Sequence, residues 1–395
     1  MKKKIALIYG GESVEHDISI ITALQVVKSL PPQLDFVLIY IDRTGKWWTA
    51  DNLDDIKIYE DFRKFAKSLR QVSLVMGENN LFIKKHGKFV YWQKLSAVLN
   101  CCHGRIGEDG SLQGVFRACK IAQSSAGVLS SALCMDKALM KDVFIANGIE
   151  TPEFVCLKKD DFNASIENQL EEEACHKTDG KTKDERVQMQ AIQNITEKLE
   201  FPLIVKPANL GSSIAISVCK NESELAEAIE LAFNFDKKVV IEKLVENLQE
   251  FNCACLSYKG DFVLSSVSEV TNKGEIYSFD DKYLSRESKN QEVEKELAQK
   301  IKDLTEKVYK TFDCQGIVRV DFLFDQKTKT LYVNEINSIP GSLAFYLFKD
   351  VTFKELIFAV IEQSLLDEES EEKLIKSFDS DALKTFENVS GKMKK

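Results

Sequence analysis

Two strand-like runs near the end of the chain, separated by a short polar connection, limit its fold more than any other feature. The runs cover residues 317–324 and 331–337, and the connection covers residues 325–329. Polar and apolar residues alternate in both runs, which is typical of strands with one face in a core. A connection of this length pairs two strands as a hairpin. We therefore predict a hairpin with a polar face and an apolar face.

The polar side chains of the two runs are expected to meet. Arg319 and Asp321 share one face of the first strand, and Glu335 and Asn337 share one face of the second. Oxygen ligands at this density suit Mg2+, which takes one or two carboxylates and leaves other positions to phosphates and water. A proline and Gly341 follow, where a bare backbone N–H could approach a ligand. A surface hairpin with solvated charges is the alternative interpretation.

The overall composition is that of a globular chain of two or three domains with sizeable cores. Its 395 residues carry a net charge of −9 and show no basic stripe, which argues against nucleic acid as the main partner. The ten cysteines are scattered without zinc or redox spacing. We expect most of them to be small apolar core residues.

The N-terminus begins like a signal peptide, with three lysines before an apolar run at residues 5–9. That run stops at Gly10, which is too early for a signal peptide, so it is interpreted as a buried first strand. No run approaches the length of a transmembrane helix. We expect a cytoplasmic protein with no membrane partner.

The first third of the chain alternates buried strands with helices. Strands are predicted at residues 5–9, 35–41 and 97–102, and an amphipathic helix at 17–30. This order favours a parallel α/β sheet whose ligand contacts lie on loops at the carboxyl ends of the strands. Residues 44–95 are interpreted as an insertion of little chemical content.

The rest of the chain predicts more strands, a lid and a charged tail. Residues 271–290 are polar and aromatic, as in a mobile lid over a site. Strands are predicted at residues 203–206, 214–218, 239–242 and 251–257, and helices at 160–198 (with a flexible loop at 176–184), 291–312 and 353–366. The predicted domains are residues 1–124, 125–245 and 246–366, followed by a tail at 367–395.

Two glycine-rich loops follow predicted strands. In the first, residues 10–17, the GxGxxG pattern is absent and acidic side chains would repel a pyrophosphate, so Glu15 better suits a substrate ammonium. Capping of the next helix is the alternative role of Glu15. The second loop, residues 103–110, lies at the sheet edge where ligands bind. There His103 is expected to orient or contact the substrate rather than act as a general base.

Several lysines occupy places that suit phosphate binding. Lys137 begins a predicted helix, and Lys206 ends a strand before the small-residue loop 207–213. The loop has no Walker A pattern, but its backbone N–H groups and hydroxyls can still hold phosphates. The segment with Glu242 and Glu250 suits adenine and ribose. Any one of these lysines alone would more commonly be a solvated surface charge, and their occurrence beside a candidate metal hairpin favours a nucleotide site.

Taken together, these motifs make the chain resemble the D-alanine–D-alanine ligases of the ATP-grasp superfamily. The resemblance covers about residues 4–366. Its motifs, in order, are GGESVEHDIS, HGRIGEDGSLQG, SALCMDKALMK, VKPANLGSS, VIEK, DKYLS, RVDF and NEINSIPG. It implies an α/β chain in which an ATP-grasp fold follows an N-terminal parallel α/β domain. It also implies ATP bound between the central and C-terminal domains, and a homodimer.

The resemblance assigns roles to residues at matching positions. It implies ATP contacts from Lys137, Lys206, Ser213, Glu242, Lys243, Val245, Glu250 and Lys282, although Glu250 lies one residue further from Glu242 than expected. It implies two Mg2+ or Mn2+ ions on Asp321, Glu335 and Asn337. It implies contacts to substrates or to the oxyanion from Glu15, Ser212, Tyr283, Arg319 and Gly341. His103, Ser342 and Tyr346 are further candidates for substrate contacts.

The reaction implied by the resemblance joins two D-alanines into a peptidoglycan precursor. The carboxylate of the first D-alanine attacks the γ-phosphoryl group of ATP, and the amine of the second attacks the resulting acyl phosphate. Arg319 and the Gly341 N–H would stabilise the tetrahedral oxyanion. A lid carrying Lys282 and Tyr283 would exclude water from the acyl phosphate.

The run after Gly341 departs from the family pattern. Tyr346 stands where a serine for the carboxylate of the second substrate is expected, so Ser342 or the Tyr346 hydroxyl would have to replace it. Ala215 replaces an expected glycine, and residues 122–126 lack the usual Pro-Tyr-x-Gly. The acceptor therefore stays open between D-alanine and another acid such as D-serine or D-lactate. An inactive ATP-binding scaffold is a further alternative, which the presence of the implied residues disfavours.

Overall fold

The computed structural model describes residues 2–162, 183–270 and 293–378, together with residues 380 and 386. The predicted lid at 271–290, with Lys282 and Tyr283, lies outside the described residues, as does most of the loop predicted at 176–184. The described strands form three sheets.

An eight-stranded sheet fills the first third of the chain. Its strands are β1 (Lys4–Gly10), β2 (Asp35–Ile41), β3 (Trp47–Thr49), β4 (Arg70–Val75), β5 (Glu78–Lys85), β6 (Lys88–Lys94), β7 (Ala97–Asn100) and β8 (Ala122–Gln123). β1 pairs in parallel with β2 and β7, and β7 with β8, which confirms the predicted parallel sheet. Strands β3 to β6 extend one edge as an antiparallel meander, so the predicted insertion belongs to the sheet.

Four helices accompany this sheet: α1 (His16–Val27), α2 (Lys57–Glu60), α3 (Phe62–Phe65) and α4 (Ser111–Ala118). The apolar face of α1 packs Ile20, Ala23 and Val26 into the main core. The helix predicted to reach residue 30 ends at Val27, because the two prolines that follow Leu30 disfavour helical backbone before them. Glu15 occupies the N-cap position of α1 and is therefore fixed beside the carboxyl end of β1.

A four-stranded antiparallel sheet follows, with β9 (Phe154–Lys158), β10 (Leu203–Pro207), β11 (Ser217–Cys219) and β12 (Lys238–Lys243). Its helices are α5 (Val128–Met135), α6 (Lys137–Ala146), α7 (Lys183–Thr196) and α8 (Glu222–Phe233). The predicted start of the strand at 214–218 was wrong. Ser212, Ser213 and Ala215 have left-handed φ angles of 54°, 55° and 56°, which a strand cannot contain, so β11 begins only at Ser217.

The third sheet has five strands: β13 (Leu248–Tyr258), β14 (Asp261–Leu264), β15 (Ser268–Val270), β16 (Ile317–Asp325) and β17 (Thr330–Asn337). The order is β14-β13-β16-β17, with β15 also paired to β13. Helix α9 (Lys295–Thr311), a 3-10 helix (Gly341–Leu347) and α10 (Phe353–Glu372) complete the fold. The helix predicted to end at 366 continues to Glu372, so the first residues assigned to the tail are helical.

The first and third sheets share a hydrophobic core. One cluster contains Leu7 of β1, Ile317 of β16 and Ile357 of α10, and all three side chains are almost fully buried. All cysteines in the described residues are free thiols, and only Cys156 among them is exposed, which agrees with the predicted core role. None of the helices in the described part of the chain is long and apolar enough to cross a membrane.

Candidate active site

The predicted hairpin is confirmed, and its register brings the expected polar groups together. Asp321 pairs with Glu335, and Arg319 pairs with Asn337. A bulge between Asp321 and Phe322 shifts the register immediately after this point. Bulges bend a strand and re-aim its side chains. The four polar residues therefore form one patch on the face of β16 and β17.

Asp321 lies at the centre of this patch. Arg319 donates to both of its carboxylate oxygens, through Nε at 2.7 Å and Nη2 at 2.8 Å. The amide Nδ2 of Asn337 donates to Oδ2 of Asp321 at 3.0 Å. The third guanidinium nitrogen, Nη1 of Arg319, donates to the Tyr346 hydroxyl at 3.2 Å. This bidentate pairing fixes the plane of the guanidinium and leaves its outer edge toward Tyr346.

The donor set on the hairpin fits a hard divalent cation. Two carboxylates, Asp321 and Glu335, face each other across the register, with the Asn337 amide beside them. Within the described residues no group of three or more His, Cys, Asp or Glu side chains is placed to hold a metal ion. Mg2+ commonly uses only one or two carboxylates and completes its shell with water and phosphate. The residues therefore suit Mg2+ or Mn2+ held jointly with a nucleotide.

Lys137 connects three elements around this patch. Asp136 caps α6 by accepting from the N–H groups of Ala138 and Leu139, so Lys137 occupies the first position of the helix. Its Nζ donates to the Leu210 carbonyl at 2.8 Å and lies 3.6 Å from Oε2 of Glu335. One ammonium thus joins the helix start, the loop after β10 and the hairpin.

A second lysine, Lys206, lies near the end of β10. Its Nζ donates to Oε2 of Glu242 at 2.9 Å and to Oδ1 of Asn334 at 3.3 Å. On the other side of Glu242, Nζ of Lys141 lies 3.4 Å from Oε1. The Glu242 side chain is 1% exposed. Its carboxylate therefore interacts with the two lysines, and only the backbone of Glu242 is available to contact adenine.

The pKa values in this network follow from burial and charge. Burial lowers the pKa of Lys141 to about 8, against the attraction of Glu242. Burial alone would raise the pKa of Glu242, but the charges of Lys141 and Lys206 outweigh it and hold that pKa below its ordinary value. The ion pairs thus keep Glu242 ionised in an interior that disfavours charge.

Glu15 and Ser212 are in contact, as a shared role at the substrate ammonium would require. The Ser212 hydroxyl donates to Oε1 of Glu15, and both residues are buried. Two glycines enclose the carboxylate: a Cβ at Gly104 or at Gly211 would come within 2.7 Å of Oε2 of Glu15. The left-handed backbone of Ser212 turns its hydroxyl toward α1.

Glu108, which sequence reasoning did not single out, ties the second glycine-rich loop to the end of β17. Its Oε2 accepts from the Gly104 N–H at 2.7 Å, and its Oε1 accepts from the Ile339 N–H at 3.0 Å. The residue as a whole is half-buried, but its carboxyl group is enclosed. Burial and the nearby Glu15 carboxylate raise the pKa of Glu108 to about 8. The carboxyl groups of Glu15 and Glu108 therefore flank Gly104, and of the two Glu15 is the better suited to an ammonium.

His103 is buried and belongs to a chain of hydrogen bonds with Thr22 and Ser342. Its Nε2 shares a hydrogen bond of 2.9 Å with the Thr22 hydroxyl, whose oxygen also accepts from the Ser342 N–H at 3.2 Å. Burial lowers the pKa of His103 to about 4. Such an imidazole is neutral at pH 7 and a weak base, which supports the predicted orienting role.

The segment after β17 bends sharply. Gly341 opens the 3-10 helix, and Ser342, Leu343 and Ala344 have left-handed φ angles of 54°, 50° and 50°. Phe345 stacks on Phe353 with ring centroids 4.5 Å apart, while the half-exposed Tyr346 reaches back to Arg319. Ser342 therefore contacts α1 through its backbone, and Tyr346 is the side chain of this segment that reaches Arg319.

Two family descriptions match most of the chain: "D-ala D-ala ligase N-terminus" over residues 4–126 and "D-ala D-ala ligase C-terminus" over residues 174–362. The D-alanine–D-alanine ligase of Thermosipho melanesiensis is 33% identical over 389 residues, covering 96% of this chain and 98% of the relative. That of Chloroherpeton thalassium is 34% identical over 389 residues, covering 95% and 99%. The chain belongs to the D-alanine–D-alanine ligase family.

Solved structures of the family share the fold. The D-alanine–D-alanine ligase of Helicobacter pylori has a TM-score of 0.70 at 27% identity, covering 91% of this chain and 98% of that one. The VanG D-Ala:D-Ser ligase of Enterococcus faecalis has a TM-score of 0.74 at 26% identity, covering 92% and 100%. The predicted class is confirmed: an ATP-grasp fold with an N-terminal α/β domain containing a parallel sheet.

Some residues expected at the ATP site of this ligase family lie apart from the lysine network. Lys243 is exposed and its Nζ is 3.7 Å from a carboxylate oxygen of Glu200, which places its charge outside the network. Val245 lies half-buried in the connection from β12 to β13, and Glu250 lies within β13 beside Val270. Ser213 is half-buried in the loop after β10, and its φ angle is left-handed. Their predicted nucleotide contacts remain predictions.

Proposed function

We propose that the protein is an ATP-dependent ligase that joins two D-alanines into D-alanyl-D-alanine, a peptidoglycan precursor. The observation that carries the proposal is the position of Lys137. Its ammonium contacts the Leu210 carbonyl of the loop at residues 207–213, called the serine loop below. It also lies 3.6 Å from Glu335 on the hairpin of β16 and β17, called the carboxylate hairpin below. A lysine, a serine loop and a hairpin with two carboxylates at one point suit transfer of the γ-phosphoryl group of ATP. The family matches support the same activity.

The nucleotide and the cation would be held by the two lysines, the serine loop and the hairpin. Lys137 and Lys206 would bind phosphates, with Ser213 and the backbone of the left-handed loop beside them. Asp321, Glu335 and Asn337 would hold two Mg2+ or Mn2+ ions. When bound, such cations neutralise charge on the transferred phosphoryl group. The adenosine would lie near Glu242, Lys243, Val245 and Glu250.

The ammonium of the first D-alanine would bind to Glu15, whose carboxylate is oriented by the Ser212 hydroxyl. Glu108 lies on the other side of Gly104, with its pKa raised to about 8. A cation bound beside Glu15 would offset the repulsion between the two carboxylates and so favour the ionised form of Glu108. His103, neutral and held by Thr22, would face the substrates as an orienting group.

The proposed chemistry has two steps. The carboxylate oxygen of the first D-alanine attacks the γ-phosphorus and ADP leaves, which gives an acyl phosphate. The amine of the second D-alanine then attacks the acyl carbon, loses a proton, and phosphate leaves. Arg319 and the Gly341 N–H would stabilise the oxyanion between these events. A lid carrying Lys282 and Tyr283 would exclude water.

We propose domain boundaries at residues 124 and 245, with the C-terminal domain ending near 366. Each of the three sheets lies within one of these segments, which supports the division. A cytoplasmic homodimer acting on ATP and D-alanine, without nucleic acid or membrane partners, completes the proposal.

The product formed from ATP tests the proposal. The protein is incubated with ATP, Mg2+ and D-alanine, with D-serine and D-lactate as competing acceptors, and the products are separated by mass. Equal amounts of ADP, phosphate and D-alanyl-D-alanine are expected. Phosphate release without this dipeptide would refute the assigned acceptor.

A second candidate keeps the chemistry and changes the acceptor to D-serine, D-lactate or another acid. The contact between the Tyr346 hydroxyl and Arg319 favours it, because a phenol replaces the expected serine beside the proposed oxyanion donor. A D-Ala:D-Ser ligase is also among the structural neighbours. The competition experiment with D-serine and D-lactate distinguishes the two candidates.

A further inference from the structure

Lys141 is a fully buried lysine to which neither the sequence nor the proposed mechanism gives a role. It lies one turn after Lys137 in α6, and its side chain is 1% exposed. Its Nζ donates to the Thr151 hydroxyl at 2.8 Å, lies 5.8 Å from the centre of the Phe154 ring, and is 3.4 Å from Oε1 of Glu242. Burying an ammonium is costly unless a counter-ion compensates it. The lysine is therefore kept inside by its interaction with Glu242.

Glu242 consequently has a cation on each carboxylate oxygen. Lys206 donates to Oε2 at 2.9 Å, and Lys141 lies at Oε1. The two lysines differ in their surroundings. Lys206 is near the end of β10, next to the serine loop, and also reaches Asn334 on the carboxylate hairpin. Lys141 is almost fully buried, and its ammonium contacts Thr151, Glu242 of β12 and the ring of Phe154 of β9.

We propose that Lys141 is a positioning residue that keeps Glu242 neutralised, so that Lys206 can transfer its hydrogen bond from Glu242 to the triphosphate. The inference rests on the proposed function, because it assumes that Lys206 binds ATP. Without Lys141, Glu242 would have Lys206 as its remaining cation within the described residues. ATP would then have to remove that last counter-ion from a buried carboxylate, which an interior of low dielectric opposes.

The directions of the pKa shifts of Lys141 and Glu242 agree with these different roles of Lys141 and Lys206. Burial lowers the pKa of Lys141 to about 8, and the groups that act on it are Glu242, Lys206 and Glu335. At pH 7 Lys141 is therefore mainly charged, and its ammonium lies beside Glu242. The charges of both lysines lower the pKa of Glu242 against the effect of burial, so its ionised form is favoured while these cations are near.

The test measures binding of ATP and of adenosine by titration calorimetry, in the presence of Mg2+, to the full-length protein and four variants. The variants are Lys141→Met, Glu242→Gln, the double variant Lys141→Met/Glu242→Gln, and Lys310→Met. Lys310 is a half-exposed lysine paired with Glu306 on α9 and controls for the loss of one positive charge. Methionine keeps most of the lysine stem volume, so packing is little changed.

We expect Lys141→Met to weaken ATP binding by about ten- to a hundredfold, the range for one charged hydrogen bond. Adenosine, which lacks phosphates, should bind within about twofold of wild type, since its contacts do not involve the Lys206 ammonium. With glutamine at position 242, removing Lys141 should change ATP affinity by less than about threefold, because no carboxylate competes for Lys206. Lys310→Met should bind like wild type.

Three outcomes would overturn the inference. They are unchanged ATP affinity in Lys141→Met, an equal loss of adenosine affinity, and a tenfold or larger loss when Lys141 is removed from the Glu242→Gln protein. If Lys141→Met does not fold, the last comparison still decides, because both of its proteins lack the buried carboxylate. Failure of the proposed function would look different, since wild type itself would then not bind ATP.

Discussion

Replacing Gly211 by alanine should damage binding of the first substrate without disturbing the fold. The added Cβ would lie 2.7 and 2.8 Å from the two carboxylate oxygens of Glu15, well inside the 3.4 Å at which ordinary contacts begin. The contacted atoms are the end of the Glu15 side chain, so the carboxylate would have to shift to make room for the added Cβ. Such a shift would disturb its contact with the Ser212 hydroxyl, which donates to it in the wild type.

The expected magnitude follows from that lost contact. A hydrogen bond to a charged group contributes about 1.5–3 kcal/mol, so kcat/KM for the first D-alanine should fall by about ten- to a hundredfold. The KM for ATP should change by less than about threefold, since the lysine network does not include Glu15. Initial rates with varied D-alanine at saturating ATP, and the reverse, separate the two effects.

Gly114 supplies the matched control. It lies within α4, and a Cβ there would have nothing within 4 Å. Gly114→Ala should raise the free energy of unfolding by roughly 0.5–1 kcal/mol and leave the kinetics unchanged. If Gly211→Ala kept kcat/KM for D-alanine within twofold of wild type, Glu15 would not be the ammonium site that its geometry indicates.

Three shorter predictions concern the hairpin, the loop and the acceptor. Glu335→Ala should lower turnover by about a hundredfold or more and weaken Mn2+ binding in paramagnetic resonance, since several kcal/mol of charge stabilisation are lost; full turnover would contradict the metal assignment. The raised pKa of Glu108 means that its protonated form is favoured on folding, so this contribution to stability is complete below pH 4.5 and is lost as the pH rises through about 8. The melting temperature should therefore fall less between pH 5 and 8 in Glu108→Gln than in wild type. An equal fall in both proteins would contradict the raised pKa of Glu108. Tyr346→Phe should raise KM for the second substrate by about tenfold, the value of one charged hydrogen bond, with KM for ATP unchanged; an equal change in both constants would exclude a role at the acceptor.

The hairpin could be predicted because residues close together in the sequence determine it. Period-two alternation and a short connection determine which side chains share a face, so the sequence alone places Asp321 and Glu335 on facing strands. The first parallel strands were equally visible, as continuous apolar runs.

Other parts of the site depend on contacts between distant segments. Lys141 looks like a surface charge in the sequence, although its spacing of four residues from Lys137 places both on one helix face. Glu108 accepts a hydrogen bond from the Ile339 N–H after β17, a contact between distant segments that the sequence does not show. The early part of the predicted strand at 214–218 failed because left-handed backbone carries no reliable signal in serine and alanine.

The left-handed turn at Ser342, Leu343 and Ala344 makes the C-terminal domain dependent on the N-terminal one. Each such residue costs roughly 1–2 kcal/mol in an L-amino-acid chain, so the turn would not persist in isolation. It is kept by burial of Leu343 and Ala344 in the core shared with β1, and by the Thr22 hydroxyl of α1 that accepts from the Ser342 N–H. A fragment lacking residues 1–124 would retain Ser342 and Tyr346, the residues assigned to the acceptor, and yet lose the shape of the segment that carries them. Exchanging N-terminal domains between relatives would therefore be expected to alter acceptor preference, even though no acceptor residue is exchanged.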